Sequence, residues 1–133
     1  MNHARAGANT HQALRQAEEI TDDDCIVLIE IGGNDLLSGK GAGEFRADLE
    51  SLLQRIERPR RQIVMFELPL LPHRIAYGWA QRELARRYRV QLIPRRDFAR
   101  VVLRGDTTLD GLHLSRSGQA QLADLVGRRL SAN

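Results

Sequence analysis

Cys25-Ile26-Val27-Leu28-Ile29-Glu30-Ile31-Gly32-Gly33-Asn34-Asp35 decides how this chain folds. The run from Cys25 to Ile31 is almost continuously apolar and rich in β-branched residues. That is the pattern of a strand covered on both faces, as in a parallel sheet. Thr21-Asp22-Asp23-Asp24 bounds it on one side. On the other, Gly32, Gly33, Gly39, Gly41 and Gly43 crowd into twelve residues and predict a loop from Gly32 to Gly43. In parallel sheets, sites form in the loops after the strands, so Asn34 and Asp35 stand where chemistry is expected.

Working outward, the same alternation repeats. Asn9 or Thr10 can cap a helix running to about Glu19. Phe45, Leu49, Leu52, Leu53 and Ile56 recur at helical spacing and predict a helix from Glu44 to Glu57, stopped by Pro59. Gln62 to Leu68 reads as a second strand, closed by Pro69 and Pro72. Ile75 to Tyr88 reads as a helix and Val90 to Ile93 as a third strand. Asp97 to Leu103 reads as a short helix, and Arg104 to Leu114 as a loop. Ser115 can cap a last helix with Leu122, Leu125, Val126 and Leu130 on its buried side. Strand and helix in alternation predict an α/β fold, a parallel sheet with helices on both faces in three layers. The length fits one domain spanning residues 1–133.

Composition excludes several classes. No apolar run approaches the ~18 residues of a membrane span. The start, Met1-Asn2-His3-Ala4-Arg5, lacks the apolar stretch of a secretory signal. Residues 1–50 carry net charge −6 and residues 51–133 carry +9, and 19 of the 20 basic residues are Arg. These arginines are interleaved with acids and only 5% of residues are aromatic. Solvated helix faces therefore account for them better than nucleic-acid binding. The single cysteine, Cys25, forbids an intrachain disulfide and reads as a small buried hydrophobe. His3, His11, His73 and His113 show no ligand spacing with cysteines or carboxylates, so no metal is expected.

Acyl transfer needs a nucleophile, a base to take its proton and donors for the oxyanion. Asp110-Gly111-Leu112-His113 puts a carboxylate three residues from an imidazole, close enough for the carboxylate to hold Nδ1. Asn34 offers a side-chain NH2, and a glycine N–H can supply a second donor. Each has a plainer reading. Asp110-Gly111 is also a common turn dipeptide, His113 can be a surface histidine, and Asn34 can cap a loop.

Ile29-Glu30-Ile31-Gly32-Gly33-Asn34-Asp35 resembles the G-x-N-D block of the SGNH (GDSL-type) esterases and lipases, and Asp110-Gly111-Leu112-His113 resembles their D-x-x-H block. Asn2 to Thr10 resembles the block whose glycine contributes to the oxyanion hole; by position that glycine is Gly7. The nearest flavour is the bacterial arylesterase, thioesterase and lysophospholipase group. The resemblance implies a flavodoxin-like three-layer sheet and a small ester or thioester substrate cleaved through Ser-His-Asp chemistry without a cofactor. Gly7 and Asn34 would be the oxyanion donors, His113 the general base and Asp110 its orienting partner.

The family's G-D-S block should lie before Gly7, yet only six residues precede it and none is serine. The expectation is a chain shortened at its N-terminus, lacking the nucleophile, the first strand and most of the second. Ser38, in the loop after Asn34, is a flexible loop serine rather than a substitute. Asp35 reads as a hydrogen-bonding scaffold. In this family's sheet the first strand lies between the second and third, so its loss would leave Cys25–Ile31 an exposed apolar edge, open to self-association. Two rivals remain. One is a non-catalytic acyl- or carbohydrate-binding module on the same scaffold. The other is a nucleotide-binding domain, which the Gly32–Gly43 loop disfavours because it matches no phosphate fingerprint and does not open directly into a helix.

Overall fold

In the computed structural model, residues 1–68, 75–103, 106–109 and 114–131 are described. Within the apolar run from Cys25 to Ile31, Ile26–Ile29 forms β1. It pairs in parallel with β2 (Gln62–Phe66), Ile26 opposite Gln62 through Ile29 opposite Met65. β3 (Gln91–Ile93) lies on the far side of β2, giving a three-stranded parallel sheet in the order β1-β2-β3. Between the strands run the helices the spacing predicts. They are α3 (Ala42–Ile56) and α4 (Ile75–Arg87), while α1 (Thr10–Gln16) with a following 3-10 turn (Ala17–Glu19) precedes β1. α5 (Arg95–Val102) and α6 (Arg116–Ser131) complete the order.

The residues fall into two compact units, Met1–Leu92 and Ile93–Asn133. In the first, all five stripe residues of α3 (Phe45, Leu49, Leu52, Leu53 and Ile56) are buried in one core with Ile29, Ile63, Met65, Tyr77 and Leu84. Each such side chain contributes about 1.5–3 kcal/mol relative to exposure, so packing rather than propensity holds this helix. Phe45 and Tyr77 stack with ring centroids 4.5 Å apart, joining α3 to α4. Gln81, on α4 and fully buried, turns its side-chain amide on the end of β2. Its Nε2 donates to the Phe66 carbonyl at 3.0 Å, and its Oε1 accepts from the Leu68 N–H at 2.9 Å. In the second unit, Asp97 of α5 pairs with Arg129 of α6, and Ser115 Oγ caps α6 through the Gly118 N–H.

Three sequence expectations change. Cys25 is exposed, not buried, with its thiol 3.5 Å from the Asp23 carbonyl. The reason is the position of β1 at the sheet edge, where Ile26 and Leu28 are also 52% and 49% exposed. A continuous apolar run reads as two-sided burial whether or not a neighbouring strand is there. The Gly32–Gly43 stretch is not all loop, because Gly33–Leu37 forms a short helix, α2, too brief to show periodicity. Glu30, Ile31 and Gly32 link the strand to this short helix. On α6, Leu122, Leu125, Val126 and Leu130 share the less exposed side but are only half-buried, and Gly118 alone is buried.

Gly32 makes the strand-to-helix corner possible. Its φ is +106°, and a Cβ there would sit 2.8 Å from Phe45 Cε2 and 2.9 Å from Leu68 Cδ1. Gly32→Ala adds left-handed strain to overpacking. It should cost about 2–4 kcal/mol in urea unfolding. A loss under about 0.5 kcal/mol would mean that the corner relaxes freely.

Candidate active site

The site begins where β1 ends. α2 is capped by Gly32 and closed by the Leu36 N–H to Gly32 carbonyl bond at 3.0 Å and the Ser38 N–H to Asn34 carbonyl bond at 3.0 Å. Successive helical residues point about 100° apart. Here Asn34 faces outward and is exposed, while Asp35 faces inward and is fully buried. The paired asparagine and aspartate are thus split by helical geometry into one presenting residue and one anchoring residue.

A second segment meets Asn34 from across the sequence. Arg5-Ala6-Gly7-Ala8 is a turn closed by the Ala8 N–H to Arg5 carbonyl bond at 3.2 Å. Gly7 takes its third position with φ +78°, the value that a type II turn demands and that favours glycine. Asn9 then caps α1. Its side chain accepts from the Gln12 N–H at 2.9 Å, and the Gln12 side chain accepts from the Asn9 N–H at 3.0 Å, a closed capping box. The Asn34 Nδ2 donates to the Ala8 carbonyl at 3.0 Å. The two candidate donor segments are therefore adjacent, and a side-chain NH2 has a second hydrogen for another acceptor. An open hollow of about 420 Å³ borders the turn, lined by Arg5, Gly7, Gln12 and Arg15 among others.

Asp35 fixes that adjacency. One of its oxygens accepts from the Thr10 backbone N–H at 2.9 Å and the other from the Thr10 hydroxyl. The Lys40 Nζ lies 3.1 Å from Asp35 Oδ1 and also reaches Asp48 on α3. The Tyr77 hydroxyl donates to the carbonyl oxygens of Lys40 and Asp35. Asp35 is thus the scaffold its position suggested. Thr10, Lys40, Asp48 and Tyr77 were not singled out as its partners, and the only sequence hint was a polar Thr10 beside the helix cap.

Asp110 and His113 lie outside the described residues. Their flanks are held within the second unit. Thr108 and Leu114 form an isolated antiparallel bridge, and the Ser115 N–H donates to the Thr107 carbonyl at 2.8 Å. Thr107 is buried, and its hydroxyl donates to the Val101 carbonyl.

All five serines have their hydroxyls engaged locally. Ser38 donates to the Asp35 carbonyl, Ser51 to Ala47, Ser115 to Asp106, Ser117 to the Asp106 carboxylate and Ser131 to Gly127. Ser38 is thereby the cap of α2 rather than a free loop serine. Among the described residues no three His, Cys, Asp or Glu side chains group as metal ligands. No helix among them is long and apolar enough to cross a membrane.

The family described as GDSL-like lipase/acylhydrolase matches residues 1–121. No curated protein matches the sequence. Among solved structures, the psychrotrophic esterase EstA from Pseudoalteromonas sp., in a structure inhibited by monoethylphosphonate, is similar with a TM-score of 0.76 at 17% identity. The match covers 94% of this chain and 74% of that one. TesA gives 0.76 at 22% identity over 93% and 73%. AlinE4, an SGNH-hydrolase family esterase, gives 0.67 at 22% identity over 95% and 71%.

Proposed function

Because this chain belongs to the GDSL-like lipase/acylhydrolase family, we propose that it carries the oxyanion and base elements of a serine hydrolase acting on small carboxylic esters or thioesters. The observation that carries this reading is the outward Asn34 amide, held against the Gly7–Ala8 turn by a 3.0 Å bond with one N–H to spare. Asn34 Nδ2 and the Gly7 N–H are the donors for the carbonyl oxygen as it becomes an oxyanion. Such donors act on charge that develops only in the transition state. His113 takes the proton of the attacking hydroxyl and returns it to the departing alkoxide or thiolate. Asp110 holds the imidazole tautomer and steadies the imidazolium. Water then attacks the acyl-serine with His113 again as base, releasing the acid and regenerating the hydroxyl.

The attacking hydroxyl belongs, in this reading, to a Gly-Asp-Ser segment preceding the block that holds Gly7. That the five serines in the chain are each bonded locally supports this. The same observation favours a second reading, in which the 133-residue chain by itself binds an acyl carbonyl without turnover. A fluorophosphonate and a p-nitrophenyl ester separate the two. A form extended upstream should be labelled at one serine and hydrolyse the ester, and Asn34→Ala should lower its kcat about 10²–10³-fold. Reading frame upstream of Met1 without Gly-Asp-Ser would leave the binder as the better account. Labelling and hydrolysis by the 133-residue chain alone would overturn the upstream serine.

A further inference from the structure

Lys40 is the one lysine in a chain that otherwise uses arginine for every basic side chain. It follows α2 and is drawn back under it, its backbone N–H donating to the Asp35 carbonyl at 3.0 Å. Gly39, at φ +76°, makes that reversal. The Lys40 side chain is only 10% exposed. Its ammonium stands 3.1 Å from Asp35, in contact with Asp48, and 3.9 Å from Glu44. A compact ammonium with three donors can serve carboxylates in three directions, which a planar guanidinium cannot do from a single atom. Burial pulls its pKa down, but Asp48 and Asp35 outweigh that and hold it above the ordinary lysine value. It is charged throughout the neutral range.

The contact to Asp35 reaches the candidate site in two bonds. Asp35 holds the Thr10 N–H and hydroxyl, and Thr10 begins the helix whose preceding turn presents Gly7 and the Ala8 carbonyl to Asn34. A buried carboxylate keeps one orientation while its partners hold it there. We infer that Lys40 is a positioning residue for the oxyanion donors: by holding the Asp35 carboxylate in one orientation it fixes the spacing between Asn34 and the Gly7–Ala8 turn. This deepens the hydrolase reading and rests on it.

Two measurements test the inference. The first needs no turnover. In ¹⁵N-labelled 133-residue chain, Lys40→Met should speed hydrogen exchange of the Thr10 amide about tenfold or more and displace the Asn34 side-chain NH2 signals, while α6 amides stay put. Lys40→Arg, which restores charge without the point geometry, should fall between. Unmoved Thr10 and Asn34 signals in Lys40→Met overturn the inference. So does failure of both Lys40→Met and Lys40→Gln to fold, because Lys40 would then hold the unit together rather than aim Asn34.

The second measurement is steady-state hydrolysis in the serine-bearing form. Lys40→Met should lower kcat about 10–100-fold with KM within about threefold, the pattern of misplaced donors rather than lost binding. Asn34→Ala, run in parallel, separates the two claims. If kcat falls with Asn34→Ala but not with Lys40→Met, the Lys40 inference alone is overturned. If Asn34→Ala has no effect, the hydrolase reading falls and the inference with it.

Discussion

Replacing His113 with alanine in a serine-bearing form should lower kcat/KM for a p-nitrophenyl ester by about 10⁴-fold or more, the scale on which triad members act. The size follows from the role. A serine hydroxyl is a poor nucleophile until a base takes its proton, and the leaving group needs the same proton back. Asp110→Asn should cost a similar factor by a different route. The amide can donate to the imidazole where the carboxylate could only accept, which favours the wrong tautomer. The proposed oxyanion donors would act independently of the base, so each variant should retain some acceleration over water. Stopped assays on both variants beside Asn34→Ala check this. A His113→Ala loss under about tenfold would remove His113 from the mechanism.

The second large effect is on stability. Asp35→Ala strips one buried carboxylate from Lys40, leaves the Thr10 N–H and hydroxyl without their acceptor, and opens a cavity under α2. Removing one side of a buried ion pair costs about 3–5 kcal/mol where the partner charge is left alone; here Lys40 keeps Asp48, and the cost falls on the Thr10 N–H and hydroxyl and on the cavity. Urea unfolding should show a loss of that order. Adding Lys40→Met to Asp35→Ala should cost less than Lys40→Met costs alone, since the Asp35–Lys40 contact is already gone. Strict additivity of the two losses would show that the pair is not coupled.

Much of the fold was legible in the sequence because its signals are local. The α3 stripe, the Asn9 cap and the run from Cys25 to Ile31 each depend on residues a turn or two apart. The parallel pairing of the strands followed from the alternation itself. What escaped was decided by tertiary position. The Cys25–Ile31 run alone reads as two-sided burial, whereas the family resemblance implied the exposed apolar edge that Ile26 and Leu28 form. α2 spans five residues, less than two turns, so it left no period to detect. The site divides in the same way. Gly7 and Asn34 were proposed through their motifs, but the Thr10–Asp35 and Asn34–Ala8 bonds that bring their segments together join residues about 25 apart in sequence. Asp110 and His113 rest on the motif.

The Gln81 amide has a consequence for how new specificities arise. It gives the end of β2 the partners that another peptide would otherwise supply, so the main chain can leave the sheet at Leu68 with its polar groups satisfied. Mutational drift in the connection that follows therefore need not propagate back into the strand. Lineages can try different lengths and side chains on that side of the rim while the scaffold stays intact, provided residue 81 remains an amide.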